Sequence, residues 1–433
     1  MKSAARIDRD FALLFTVMLT IAAGNTAMQS VLPALGRSLK VPDSAVAAAF
    51  SVSALLWVIA APFWAKRSDV HGRRAMILLG MGGFSVSLVT CGVFLAAGIN
   101  GWISGTAAFL CFIAGRLIYG TFGSAAPPAV QALVAGNTTR AERTKALTLL
   151  GSAFGLGTIL GPTLAPFLVL GSLGGVEIGL AGPAFLFALF GLGVSFAVHR
   201  MLADDRPTQS DDPGAFHGAA NAYPSIGGQS SGASITAATE PHSEPVGYAD
   251  PRIRGWMIAG LVSGHGQAMT GQAIGFLVID RLHLAPAQAL QPTGIVLMIG
   301  AGAALLVQWG IIPNLNLRPR RMMLAGLVIA ALGCALTGVA TSLYTIACAY
   351  ALASVGFGFT RPAFTAGASL AVDHAAQGAV AGKVTSVNGA AFVLGPSIGV
   401  GLYELQHSLP YLVAGAAMMA LFGYAWAKLR EAR

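Results

Sequence analysis

Twelve apolar runs, each close to the twenty or so residues a helix needs to cross a bilayer, divide this chain almost from end to end. They lie at roughly 11–35, 44–65, 74–97, 105–132, 144–171, 180–201, 254–281, 289–312, 321–341, 344–370, 381–406 and 409–428. In hydrocarbon every backbone N–H and C=O must find a partner inside the protein, so runs of this length read as helices. Composition agrees: 55% of the 433 residues are apolar and 10% are charged, where a soluble globule carries about 25% charge. The expectation is an all-α integral membrane protein. The first run follows Lys2, Arg6 and Arg9, but it is longer than a signal-peptide core and holds Asn25 and Gln29, so it reads as a retained first span.

The chain also repeats itself. Gly155 to Pro162, GLGTILGP, returns as Gly389 to Pro396, GAAFVLGP, an offset of 234 residues. The register holds outside the motif, pairing Pro128 with Pro362 and Ser152 with Ser386. Glycines let another backbone approach, and a proline bends a helix whose neighbours can satisfy the freed carbonyl. Duplicated halves with interrupted helices at matching positions point to a secondary transporter. The division is 1–202 and 253–433, two pseudo-symmetric six-helix halves. Residues 203–252 between them are rich in Ser, Gly, Pro, Ala and Asp and read as a flexible cytoplasmic linker, with His217 and His242 as solvated residues.

Orientation follows from Lys and Arg. Of 26 such residues only Arg37, Lys40 and Arg281 fall in loops on one side, and only Arg116 and Arg361 fall inside spans. The rest share the other side, which is therefore cytoplasmic and holds both termini.

The net charge of +9 does not indicate nucleic acid, because the basic residues alternate between loops and do not form one face. Cys91, Cys111, Cys334 and Cys348 lie in apolar runs without metal-ligand spacing and read as packing residues. Gly378 to Val384 superficially suggests a phosphate loop, but only three residues separate its glycines and Val384 stands where Ser or Thr would bind magnesium. No enzyme, cofactor or metal site is expected.

The loop after the second span reads Ala65-Lys-Arg-Ser-Asp69-Val-His-Gly72-Arg73-Arg74. It resembles the signature loop of the major facilitator superfamily, in the form found in tetracycline-type exporters. Asp69, Gly72, Arg73 and Arg74 match; Ala65, Arg67 and Val70 replace Gly, Leu and Arg. Arg318-Pro-Arg-Arg321 is a worn second copy without the acid. Arg116 to Gly120, with Tyr119, resembles the family's fourth-span motif, and Gly157-x-x-x-Gly161-Pro162 the motif of exporters that run as antiporters, although Ala165-Pro166 replaces its closing Gly-Gly. The resemblance implies the twelve-helix major facilitator fold in a bacterial inner membrane. It also implies that Asp69, with Gly72, Arg73 and Arg74, latches the cytoplasmic ends of the halves against span eleven. The second motif copy, Gly395 and Pro396, takes the corresponding place in the other half.

A charge at mid-bilayer is costly and needs a reason to be there. Arg116, His265 and Arg361 lie in spans four, seven and ten, and Asn25 and Gln29 in span one; those spans line the cavity in the family. Gln267 and Gln272 of span seven echo the span-one patch. Asn25, Gln29, Arg116, Tyr119, His265, Gln267, Gln272 and Arg361 are the expected cavity lining. Each also has a plainer reading: Arg116 as a structural arginine, His265 as a packing residue, Arg361 snorkelling to the surface, Asn25 and Gln29 as interhelical glue. The carboxylates nearest the spans are taken to be Asp280 and Glu404 at outer ends and Asp373 in a loop.

Arginines without a mid-membrane acid favour an anionic solute. Histidine ordinarily titrates near neutral pH, which makes His265 the candidate proton carrier, modulated by Arg116. The expected function is proton-coupled export of a small amphiphilic anion, such as a carboxylate siderophore or antibiotic, by a monomer whose partners are solute, protons and lipid. The alternatives are efflux of neutral or zwitterionic drugs, proton-coupled uptake of an organic anion, and a receptor or scaffold that moves nothing.

Overall fold

The structure is a computed structural model that describes residues 4–138, 140–204, 246–315, 317–373 and 376–429; for residues 4–8, 69, 140–145, 148, 377 and 378 it describes the backbone alone. The bulk of the 203–252 linker, His217 and His242 included, lies outside the described residues.

Among the described residues twelve long helices run in sequence. The first six are α1 (Ala4–Ser38), α2 (Asp43–His71), α3 (Arg73–Ile99), α4 (Gly105–Asn137), α5 (Arg140–Leu164) and α6 (Gly182–Met201). The second six are α7 (Arg254–Arg281), α8 (Leu290–Leu315), α9 (Pro319–Val339), α10 (Leu343–Leu370), α11 (Gln377–Leu405) and α12 (Leu409–Lys428). Eleven contain segments long and apolar enough to cross a membrane. The exception, α7, carries Ser263, His265, Gln267, Thr270 and Gln272, which dilute its hydropathy. The protein is an all-α, multi-pass membrane protein, as its apolar runs predict.

Local chemistry sets the boundaries. Ser104 caps α4 by accepting from the Ala107 N–H, and Ser342 and Thr345 form a reciprocal capping box on α10. Between α2 and α3 there is one residue, Gly72, at φ 88° and ψ 145°. That conformation suits glycine almost alone, so the family-like loop is a single-residue joint between two helices. Within α4 a 3-10 turn occupies Gly123–Ala125, and within α8 a π turn occupies Leu306–Ile311.

The fifth span departs from expectation. Its helix stops at Leu164 and passes through a 3-10 turn, Ala165–Leu168, because Pro166 has no N–H to continue the ladder. A short hairpin follows, β1 (Leu170–Leu173) and β2 (Val176–Gly179), with Leu173 opposite Val176. Gly174 and Gly175, both at positive φ, make its two-residue turn. Asn100 at the end of α3 pins the hairpin, donating to the Glu177 carbonyl at 2.7 Å and accepting from its N–H at 2.9 Å.

The repeated glycines have a packing role. A Cβ on Gly157 of α5 would lie 2.5 Å from the Leu19 carbonyl oxygen of α1, and one on Gly161 would strike the Ala23 carbonyl and the Thr26 hydroxyl. In the second half Gly395 and Gly399 of α11 lie against Ala268 and Met269 of α7 in the same way. The motif copies therefore let α5 close on α1 and α11 close on α7, backbone to backbone.

Between the six-helix sets, α2 runs along α11 and α5 along α8. The α2–α11 track is tight at one end: Ser44 donates to Glu404 at 2.8 Å and Ser51 shares a hydrogen bond with Ser397 at 2.7 Å. It is still closed at mid-helix, where Val58 meets Gly389. Farther on it opens, since a Cβ at Gly382, two turns before Gly389 on the same face of α11, would touch nothing within 4 Å. The halves are closed at the Arg37 end and part toward the Gly72 end.

Candidate substrate path and gate

Arg116, on α4, is fully buried. Its Nη2 donates to Asn25 Oδ1 of α1 at 2.6 Å, and its guanidinium carbon sits 4.7 Å from the Phe50 ring centroid and 4.6 Å from that of Tyr119. Trp57 backs Tyr119 at 5.2 Å between centroids, and Ser53 of α2 donates to the Arg116 carbonyl at 2.9 Å. A planar cation between aromatic faces is held by its quadrupole contacts as well as its hydrogen bonds. The structure thus brings together three predicted residues, Asn25, Arg116 and Tyr119, and packs Phe50 and Trp57 around them.

The second half builds a separate polar strip. Gln267 and Thr270 of α7 meet Tyr350, Ser354 and Phe357 of α10 around a small cavity closed by Ala301 and Ala304 of α8. Arg361 follows Tyr350, Ser354 and Phe357 at helical spacing on one face of α10. Its Nε and Nη1 are buried with no hydrogen-bond partner among the described residues. Tyr350 occupies the position that the 234-residue repeat pairs with Arg116, so the halves carry different polar chemistry at equivalent places.

His265 contacts its own helix: Nδ1 lies 2.7 Å from the Leu261 carbonyl. A carbonyl can only accept, so Nδ1 carries the hydrogen in this contact. Gln29 and Gln272 are buried, Gln29 on α1 and Gln272 on α7.

At the Gly72 end the side chain of Asp69 lies outside the described residues. Arg74 donates to the His199 carbonyl at the last turn of α6, and Arg73 reaches Gly136 at the end of α4. Both arginines thus sit where helix C-termini present unpaired carbonyls and partial negative charge. Pro162 and Pro396 lie inside α5 and α11, each one residue past the seam glycines Gly161 and Gly395.

The Arg37 end carries a polar cluster that sequence reasoning missed. Arg37, in the last turn of α1, pairs with Asp43 at the start of α2 (2.7 Å) and with Asp280 at the end of α7. Tyr403 of α11 donates to Asp280 at 2.5 Å, and His407 stands 3.7 Å from the same carboxylate. The Arg37–Asp280 pair joins the two halves across 243 residues of sequence. Two carboxylates overlooked beside the spans also prove to be helical: Asp43 belongs to this cluster, and Asp10, buried in α1, pairs with Arg9 at 3.1 Å. The signal available in the sequence was the scarcity of charge at that end, where Arg37 had few possible partners.

Residues 14–396 match the family model described as Major Facilitator Superfamily. The tetracycline resistance protein, class B, of Escherichia coli is 30% identical over 190 residues, which span 43% of this chain and 42% of that protein. Multidrug resistance protein 2 of Bacillus subtilis (strain 168) is 22% identical over 416 residues, 95% of this chain and 93% of that protein. The crystal structure of the human organic anion transporter MFSD10 aligns over 97% of this chain and 99% of its own at 19% identity, with a TM-score of 0.63, a likeness of fold.

Proposed function

This chain belongs to the Major Facilitator Superfamily, and from its membership we propose that it is a proton-coupled exporter of a small amphiphilic anion in a bacterial inner membrane. It is a transporter, with relatives named for tetracycline and multidrug resistance. The observation that carries the substrate class is Arg361, whose Nε and Nη1 are buried without partners among the described residues. A buried unmet donor on a cation is costly, and a carboxylate or phosphate oxygen would relieve the cost.

The basic loops at the Gly72 end support a cytoplasmic location for that end and for both termini. A solute would then enter the open side of the α2–α11 wedge from the cytoplasm. It would rest between the arginine box of the first half and the Arg361 strip of the second. Outward release requires the Arg37–Asp280 link to part while the Gly72 end closes, with Asp69, Gly72, Arg73 and Arg74 as the inner gate. His265 Nε2 supplies the proton site, near enough in helix position to Gln267 and Gln272 for its charge to act on the same path. One proton moving inward through about 100 mV contributes about 2.3 kcal/mol toward the outward gradient.

Uptake of an organic anion is the second reading, and His265 favours it. An imidazolium attracts an anion, so proton and solute would travel together. The test is the pH gradient of inside-out vesicles with an acidic interior, followed as carboxylate siderophores, organic acids and lipophilic cations are added in turn. Collapse with anions alone is the expected result. Collapse with cations alone would overturn the substrate class, and silence with every solute would overturn proton exchange.

A further inference from the structure

A second site lies away from that path. At the Gly72 end of the second half, the start of α7 and the ends of α10 and α12 enclose an open cavity of about 610 Å³. Its wall includes Arg252, Arg254, Trp256, Leu370, Tyr424 and Lys428. We propose that this cavity binds the phosphate headgroup of an anionic phospholipid.

Charge is the first argument. Arg252 is engaged by Asp250 at 2.8 Å, and that contact holds the half-buried Asp250 carboxyl below its usual range. Arg254 and Lys428 face no carboxylate among the described residues. Among the described residues two cations are therefore left for one anion, an arginine suited to bidentate phosphate contact and a lysine acting as a point charge. Gly255 and Trp256 add the first turn of a 28-residue helix, whose N–H groups and dipole favour the same charge. The Tyr424 hydroxyl stands 3.9 Å from where a Gly255 Cβ would lie, a neutral donor at the cavity wall.

Surroundings choose a lipid over a soluble anion. Leu370 is 56% exposed at the cavity edge. On α12, Leu412, Met419 and Trp426 recur every seven residues as exposed apolar side chains, a strip along which an acyl chain can lie. Trp426 is anchored at the helix end by Arg320, which donates to its carbonyl at 2.8 Å and stacks 5.4 Å from its ring. An exposed tryptophan beside basic residues at a helix end is the arrangement of a membrane interface. Basic pockets between helix ends on the cytoplasmic face recognise anionic headgroups.

The experiment uses the purified full chain in neutral detergent and follows its melting temperature as phosphatidylglycerol, phosphatidylcholine or inorganic phosphate is added. Phosphatidylglycerol alone is expected to raise it in a saturable way, with apparent affinity falling about fivefold for each cation lost in Arg254→Gln and Lys428→Gln. Lys428→Gln alters an exposed last helical residue, so it serves even where the double variant fails to fold. Equal stabilisation by phosphatidylcholine, stabilisation by inorganic phosphate alone, unchanged affinity in Lys428→Gln, or no response to phosphatidylglycerol would each overturn the proposal.

Discussion

Arg37 of α1 and Asp280 of α7 form an ion pair that ties one six-helix half to the other at the closed end of the molecule. Both side chains are partly shielded, at 24% and 20% exposure. The link is therefore worth more than the about 0.2–1 kcal/mol of an exposed pair and less than the about 3–5 kcal/mol lost on breaking a buried one. Asp280→Asn keeps the shape and removes the charge. It is expected to raise the labelling rate of a cysteine placed at Ser51 severalfold, by loosening the closed end. Arg37→Gln should do the same, and the double variant should be no worse than either, because the two side chains act as one unit. Additive effects would show that the pair is not the latch.

The Ser51–Ser397 hydrogen bond, at 2.7 Å, places two side chains from opposite halves within cross-linking reach. Ser51→Cys with Ser397→Cys, in a background without Cys348, the exposed native cysteine, is expected to form a disulfide spontaneously or with mild oxidant. Transport should stop in the oxidised protein and return on reduction. Transport that continues with the bridge formed would mean that this end need not open.

Gly161 of α5 is pressed against the Ala23 carbonyl of α1, with no room for a Cβ. Gly161→Ala should lower stability by about 1–3 kcal/mol, the usual cost of overpacking, and Gly395→Ala should act similarly in the other half. Gly401→Ala is the control, since a Cβ there meets nothing within 4 Å. Melting curves in detergent decide the matter: equal midpoints for Gly161→Ala and Gly401→Ala would remove the seam argument.

What the sequence disclosed follows the range of the forces involved. Span length and the Lys and Arg pattern are properties of contiguous segments, so twelve helices could be counted without tertiary information. The repeat marked Gly157, Gly161 and Gly395, but not that they face α1 and α7. The hairpin was missed because its strands have four residues each, although the Gly174-Gly175 pair between Leu173 and Val176 was a usable turn signal. The Arg37 cluster was missed for a different reason. Asp280 and Glu404 were seen as acids at outer ends, yet their partners are set by how the halves dock, which no local pattern records. Arg116, Asn25 and Tyr119 were named together because α1 and α4 both line the path in the family resembled; Phe50, an ordinary aromatic residue of an apolar run, carried no such mark.

Arg361 provides the sharpest test of the substrate class. Its Nε and Nη1 are buried without partners among the described residues, and it shares a face of α10 with Tyr350 and Ser354. Removing the charge with Arg361→Gln relieves the unmet donors, so the protein should be as stable as the wild type or more so. Binding should move the opposite way. A charge-assisted hydrogen bond contributes about 1.5–3 kcal/mol, so apparent affinity for an anionic solute should fall about 10- to 150-fold while that for a neutral analogue stays unchanged. Arg361→Lys keeps the charge but loses the planar fork, and should recover affinity only in part. Equilibrium binding to the purified variants, paired with their melting curves, separates the two roles. Lower stability with unchanged anion affinity would make Arg361 a structural residue and withdraw the main support for an anionic solute. Higher stability with lost anion affinity would mean that the fold tolerates the unmet donors because the transported solute satisfies them.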